Sequence, residues 1–250
     1  MRRWSRWLLV AVLLLAPLPV SLGVHGTAGS HWSQARRDSS GLAPNPASEP
    51  GPVVQVYSGR AWGWRRAFGV HTWIAAKPRN GDHYTRYEVL GWRARYGGDA
   101  VRVSTGTPDG YWYGARPTLL ADIRGSRAER IIGQLGPAVA AYPARSHYRI
   151  WPGPNSNSFT AWLARTIDGL GVDLPPTAVG KDYLVGGGAM APSPSGTGWQ
   201  VSLGGLAGVL VGLDEGLEVS LLGLTWGIDF DPPALKLPGL GRLGMASIAP

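Results

Sequence analysis

The sequence predicts an α+β fold, with a mainly antiparallel sheet, a helix packed against it and a glycine-rich β extension at the C-terminal end. Three observations lead there. β-Branched and aromatic runs bounded by turn residues fill residues 53–113, helical spacing of apolar residues is confined to two short stretches between 126 and 169, and strand-like runs separated by Gly or Asp turns return after Gly186. A chain of 250 residues with 44% hydrophobic content can bury a core in one domain with appendages.

Taken in order, residues 53–57 (VVQVY) suit a strand, and residues 69–76 and 84–92 form two more on either side of Asn80-Gly81. That dipeptide is the strongest short hairpin signal because both residues tolerate positive φ. A two-residue turn there pairs positions whose numbers sum to 161, so His71, Trp73, Glu88 and Leu90 share one face, with Glu88 diagonal to His71. Residues 101–104 and 110–113 read as shorter strands. Ser126 and Glu129 have capping-box spacing and precede Ile131, Ile132 and Leu135, which predicts a helix broken at Pro137. Residues 148–151 read as a strand stub, followed by the turn 152–155. Phe159, Trp162, Leu163 and Ile167 then recur at helical spacing up to Gly169, which puts Ser156 at a helix N-terminus. Residues 199–203, 209–213 and 217–222 predict an antiparallel meander or hairpin.

The N-terminal 24 residues predict location. Arg2, Arg3 and Arg6 precede an apolar run from Trp7 to Val24, a positive-inside pattern. Eighteen residues is borderline for a hydrocarbon core of about 30 Å, and Pro17 and Pro19 shorten the usable helix. Both an uncleaved membrane anchor and a cleaved signal peptide fit, and either exports the rest of the chain. The expected organisation is an anchor or signal over 1–24, a disordered tether over 25–52, rich in Ser, Pro, Gly and Ala, an α+β core over 53–185 and a β extension over 186–250.

Charge is uneven. Residues 1–150 hold 20 basic and 8 acidic side chains, a net of +12, whereas residues 151–250 hold 4 and 8, a net of −4. A basic surface near a membrane anchor favours anionic lipid or peptidoglycan as partner. Nucleic acid is not expected, since the arginines follow no nucleic-acid-binding motif. The absence of cysteine excludes disulfides, thiolate catalysis and Cys-ligated zinc. The five histidines show no ligand spacing, so neither a metal site nor a cofactor is expected. Gly239-x-Gly241-x-x-Gly244 has dinucleotide-motif letters but no room for a following helix, and reads as a turn. The trio 181–183 (KDY) reads as a solvated loop or a local salt bridge.

Longer stretches carry a resemblance: VYSGRAWGWR (56–65), FGVHTWIAAKP (68–78), YEVLGWR (87–93), WPGPNSNSF (151–159), LPPTAVGKDYL (174–184) and LKLPGLGRLG (235–244). Together they resemble a bacterial family of envelope proteins, domain of unknown function 3750, over residues 53–245. This resemblance implies membrane association and no particular activity. More distantly, a histidine on a strand followed by Asn155-Ser156-Asn157-Ser158-Phe159 is similar in order to permuted papain-like domains of the NlpC and lecithin:retinol acyltransferase type. Those domains carry a cysteine at the helix start where this chain has Ser156.

The papain-like order implies a catalytic set in which Ser156 attacks, His71 is the base and Glu88 orients it. Asn155 and Asn157 are candidate oxyanion donors, with turn stabilisation as their alternative role. Trp73, with Trp62, Trp64 and Trp92, is a candidate for lining a lipid or glycan groove, against a plain core role. Two functions stay open. One is a hydrolase or acyl transferase on amide or ester bonds of envelope material, and the other is a catalytically inactive papain-like domain that binds lipid or glycan or supports an envelope complex.

Overall fold

A computed structural model describes residues 7, 12, 14–26 and 31–245. The expected N-terminal anchor therefore lies partly outside the described residues, and among those described no helix is long and apolar enough to cross a membrane. What is described of it ends in helix α1 (Pro17–His25), which packs on the domain through Ser21 Oγ donating to the Ala67 carbonyl, 2.5 Å.

The fold is α+β, with two antiparallel sheets and few helices. The first sheet contains β1 (Val53–Arg60), β2 (Val70–Lys77), β3 (Thr85–Val89), β4 (Val101–Thr105) and β5 (Thr118–Arg124), in the order β4-β3-β2-β1-β5. The β2–β3 register pairs Ile74 with Tyr87 and Ala75 with Arg86, which is the sum of 161 expected from Asn80-Gly81. Asn80 does adopt positive φ (55°), although the strands end earlier and leave a longer loop. A short helix α2 (Gly91–Arg95) follows β3.

Two longer helices cover one face of this sheet. α3 (Gly125–Ala141) buries Ala128, Ile131, Leu135, Ala138 and Val139. It runs through Pro137, where a break was expected, because that buried stripe outweighs the lost hydrogen bond. The expected Ser126/Glu129 capping box does not form: Arg124 is the N-cap, and Glu129 pairs instead with Arg79 at 3.1 Å. α4 (Ser156–Thr166) buries Phe159, Ala161, Leu163 and Ala164. Between helices and sheet, Val54, Val56, Ile74, Val89 and Ile123 complete the core.

The opposite face of the sheet is covered by loops. Residues 31–52, expected to be a free tether, lie along it. Asp109, buried in the loop after β4, accepts hydrogen bonds from the Ser39 hydroxyl and from the Leu42 and Ala43 amides, and Leu42 and Ala43 pack against the cluster of Val53, Tyr57, Trp73, Ala75 and Tyr84. Residues 110–113, expected as a strand, belong to the same covering: Tyr113 has φ of 46°, and only isolated bridges form there. Residues 148–151, read as a strand stub, form no strand either.

The second sheet is a meander of neighbouring strands in chain order: β6 (Met190–Pro192), β7 (Gly198–Ser202), β8 (Ala207–Gly212), β9 (Gly216–Leu221), β10 (Leu224–Phe230), β11 (Pro233–Leu237) and β12 (Gly241–Gly244). It meets the rest of the chain through charge. Lys181, expected in a solvated loop or a local salt bridge, is buried and pairs with the distant Glu218 at 2.6 Å. Lys236 contacts Glu218 (3.0 Å), Asp229 (2.9 Å) and Asp173 (3.0 Å). Arg60 donates to the carbonyls of Gly239 (2.7 Å) and Leu240 (3.4 Å), which ties the end of β1 to the last turn of the meander.

Candidate functional site

The N-terminus of α4 is the place where the papain-like reading puts a nucleophile. Its geometry follows from the Asn-Ser-Asn-Ser sequence. Asn155 is the N-cap, its side-chain oxygen accepting from the amides of Asn157 (2.8 Å) and Ser158 (3.1 Å), while the Ser158 hydroxyl accepts from the Asn155 amide (2.7 Å). This reciprocal box satisfies donors that a helix start leaves free. The remaining amide groups point into the scaffold. Asn155 Nδ2 donates to the carbonyls of Ile150 (3.0 Å) and Val179 (2.9 Å), and Asn157 Nδ2 donates to those of Val70 (3.0 Å) and Val179 (2.9 Å). Both asparagines thus spend their donors on backbone, clamping the helix to β2 and to the 174–180 turn.

The β2 residue that meets this helix is Thr72. Its hydroxyl lies 3.1 Å from the Ser156 carbonyl, 3.1 Å from Asn157 Oδ1 and 2.9 Å from Thr160 Oγ1. Side chains alternate along a strand, so Thr72, Ile74 and Ala76 face the helices while His71, Trp73 and Ala75 face the loops. The apolar members agree, Ile74 and Ala76 lying in the helix-side core and Trp73 and Ala75 in the loop-side cluster. His71 and Ser156 therefore stand on opposite faces of one sheet.

On the loop side, His71 Nε2 lies 3.0 Å from Glu88 Oε2, and Arg86 Nη2 lies 2.9 Å from the same oxygen. The neighbourhood expected for His71 and Glu88 from the register is present. The imidazole is stacked on Trp112, with centroids 3.7 Å apart and planes at 10°, and Arg86 lies over Trp73, 4.2 Å from its centroid. Gly59, opposite His71 on β1, makes room for this stack, since a Cβ there would stand 2.7 Å from Trp112 Cβ.

The electrostatics are those of a closed cluster. Burial lowers the His71 pKa and outweighs the Glu88 carboxylate, so burial favours the neutral ring, and Nε2 lies at hydrogen-bond distance from Glu88. For Glu88, burial alone would raise the pKa, but the His71 hydrogen bond and the Arg86 charge overcome it and hold the carboxyl at about 2. His71 is 7% exposed and Trp73 fully buried. Trp73 therefore packs inside, donating from Nε1 to the Pro108 carbonyl (2.7 Å), rather than lining a groove, whereas Trp62, Trp64 and Trp92 are exposed. A pocket of about 580 Å³ on the loop side is lined by Pro44, Tyr84, Thr105 and Asp109 among others, and by neither His71 nor Ser156.

Sequence reasoning missed Arg86, Trp112 and Thr72. Arg86 was within reach of the same register argument, being on the face of Glu88. Trp112 arrives from a loop and carries no local signal. Thr72 was hidden because both faces of β2 are buried and each mixes apolar with polar residues, which leaves the choice of helix side to the tertiary fold.

Among known proteins, no curated protein and no solved structure gives a significant match to this chain. Residues 51–183 match a family described as "Protein of unknown function (DUF3750)", a span that takes in the whole first sheet, both long helices and the residues on either side of β2 just described. The chain belongs to the DUF3750 family.

Proposed function

We propose that this chain is a membrane-associated protein of the cell envelope, with its folded domain outside the cytoplasm, and that the domain is non-catalytic and binds or supports envelope material at the membrane surface. One observation carries the non-catalytic part. The residue facing the Ser156 end of α4 is Thr72, which cannot act as a general base at neutral pH, and the flanking asparagines donate to backbone carbonyls. A serine hydroxyl at a helix start gains too little from the dipole to ionise unaided.

Membrane association is supported by Arg2, Arg3 and Arg6 before the apolar run and by the packing of α1 on the domain. Exposed Trp62 and Trp64 with Arg65, in and beside the turn that α1 packs against, offer aromatic and cationic groups suited to a lipid interface. The test is labelling of the full chain with a fluorophosphonate serine-hydrolase probe, comparing wild type with Ser156→Ala and His71→Ala. No Ser156-dependent labelling is expected in folded protein. Labelling that vanishes in both variants would restore the hydrolase reading.

A further inference from the structure

The second sheet is inside out with respect to water. One cross-strand row runs Trp199, Val211, Leu217, Ile228, Leu235, Leu243 through six strands, each paired with the next. All six side chains point outward, 39% to 59% exposed. The adjacent row contains Gln200, Glu218 and Lys236, each 2% exposed or less, with Leu210 (4%) between the first two, facing the family domain. An antiparallel sheet on a water-soluble domain shows the reverse, apolar inward and polar outward.

With Val201, Val209 and Val219 in a further row, 45% to 47% exposed, the outward face presents nine contiguous exposed apolar side chains, whereas the largest apolar patch on a typical soluble monomer is ~300–600 Å². Apolar side chains turned out from a sheet whose charges are turned in is the arrangement lipid favours. The chain's own apolar N-terminus reaches the same face: Trp226, outward-facing beside Val219, donates from Nε1 to the Leu14 carbonyl at 3.1 Å. Val20, Leu22 and Val24 of α1 are exposed, and the turn carrying Trp64 and Arg65 adjoins that helix. The apolar surface is thus continuous from the N-terminal segment onto the sheet, with a cation and tryptophans beside it.

We infer that the outward face of the C-terminal sheet lies against the lipid bilayer, as a second membrane contact that fixes the orientation of the domain. It rests on the membrane association proposed above but concerns a different surface, outside the residues matched to the family. The chain has no cysteine, so single labels can be placed cleanly.

The experiment uses the full chain in phosphatidylcholine/phosphatidylglycerol vesicles, spin-labelled one site at a time at Leu217→Cys, Ile228→Cys, Val20→Cys and, as an aqueous control on the first sheet, Arg102→Cys. Accessibility to oxygen and to a water-soluble nickel chelate is then compared. The expected result is an oxygen-to-nickel ratio several-fold higher at 217 and 228 than at 102. Lipid contact at 20 with water contact at 217 and 228 would overturn this inference and leave the N-terminal contact standing. Water contact at all sites would overturn both. Spin–spin broadening at 217 and 228 that persists without lipid would assign the face to a second copy of the chain and overturn the inference as well.

Discussion

The two sheets of this protein are stabilised in opposite ways. The first buries Val54, Val56, Ile74 and Ile123 against α3 and α4, so that removal of apolar area from water holds it in place. The second turns most of its apolar residues out, Leu210 and Ala234 excepted, and meets the rest of the chain through Lys181, Glu218, Lys236 and Asp229, charges buried to within a few per cent of exposure. A buried ion pair adds little over an apolar contact, but breaking one is severe because the remaining charge is stranded. The family domain should therefore tolerate gradual loss of packing, while docking of the extension should depend on a few charged atoms.

Lys236→Met should have the most severe consequence. It leaves Glu218 and Asp229 buried with one cation fewer and should weaken docking of the second sheet by about 3–5 kcal/mol, seen as fast proteolysis in residues 184–190 while the family domain stays folded. Next comes a matched pair of truncations. Leu135→Ala, in the core, should cost about 2–5 kcal/mol in urea unfolding, whereas Leu217→Ser, on the outward face, should stay within about 0.5 kcal/mol without lipid. An equal loss in both would mean that the outward face is covered within the chain. Gly59→Ala pushes Trp112 off His71 and should cost about 1–3 kcal/mol, with a changed near-ultraviolet circular dichroism signal.

A further effect is that of pH. Glu88 has a folded-state pKa of about 2 against an ordinary 4.5, so its contribution is complete above 4.5 and is lost as pH falls towards 2. Burial lowers the His71 pKa below 6.5, so folding favours the neutral ring, and its contribution fades as pH falls below 6.5 and the unfolded chain takes up the proton. Both signs agree. Stability should decline on acidification from about pH 6.5, and His71→Phe should flatten the upper part of that decline in thermal melts.

How far the sequence could be read differs between the same two regions. In the first sheet, the β2–β3 register was legible from Asn80-Gly81, although the connection spans residues 78–84 rather than a two-residue turn, and the Asn-Ser-Asn-Ser run marks the start of α4. The parity of His71 against Thr72 was not legible, because Trp73 and Ile74 are both apolar and both buried. Strand β5 went unread: Leu119, Leu120 and Ile123 lack clean alternation, and the strand is recognisable by its pairing with β1. In the second sheet, β7, β8 and β9 were legible from runs such as Trp199-Gln-Val-Ser-Leu, whereas β6, β10, β11 and β12 went unread, Gly241–Gly244 being a strand where a turn was expected, and the direction of the alternation was not legible at all. Alternation says that two faces differ and leaves open which one meets water. Here Gln200 and Ser202 are buried and Trp199 and Val201 exposed, a choice made by the distant charges at Asp173 and Lys181.

Neutron reflectometry of the full chain on a supported phosphatidylcholine/phosphatidylglycerol bilayer puts the opposed polarity of the two sheets to the most direct test. The seven-stranded sheet is predicted to lie at the headgroup boundary, with the five-stranded sheet and its helices farther out in water. A protein layer separated from the headgroups by solvent, or one with the five-stranded sheet nearest the lipid, would contradict it.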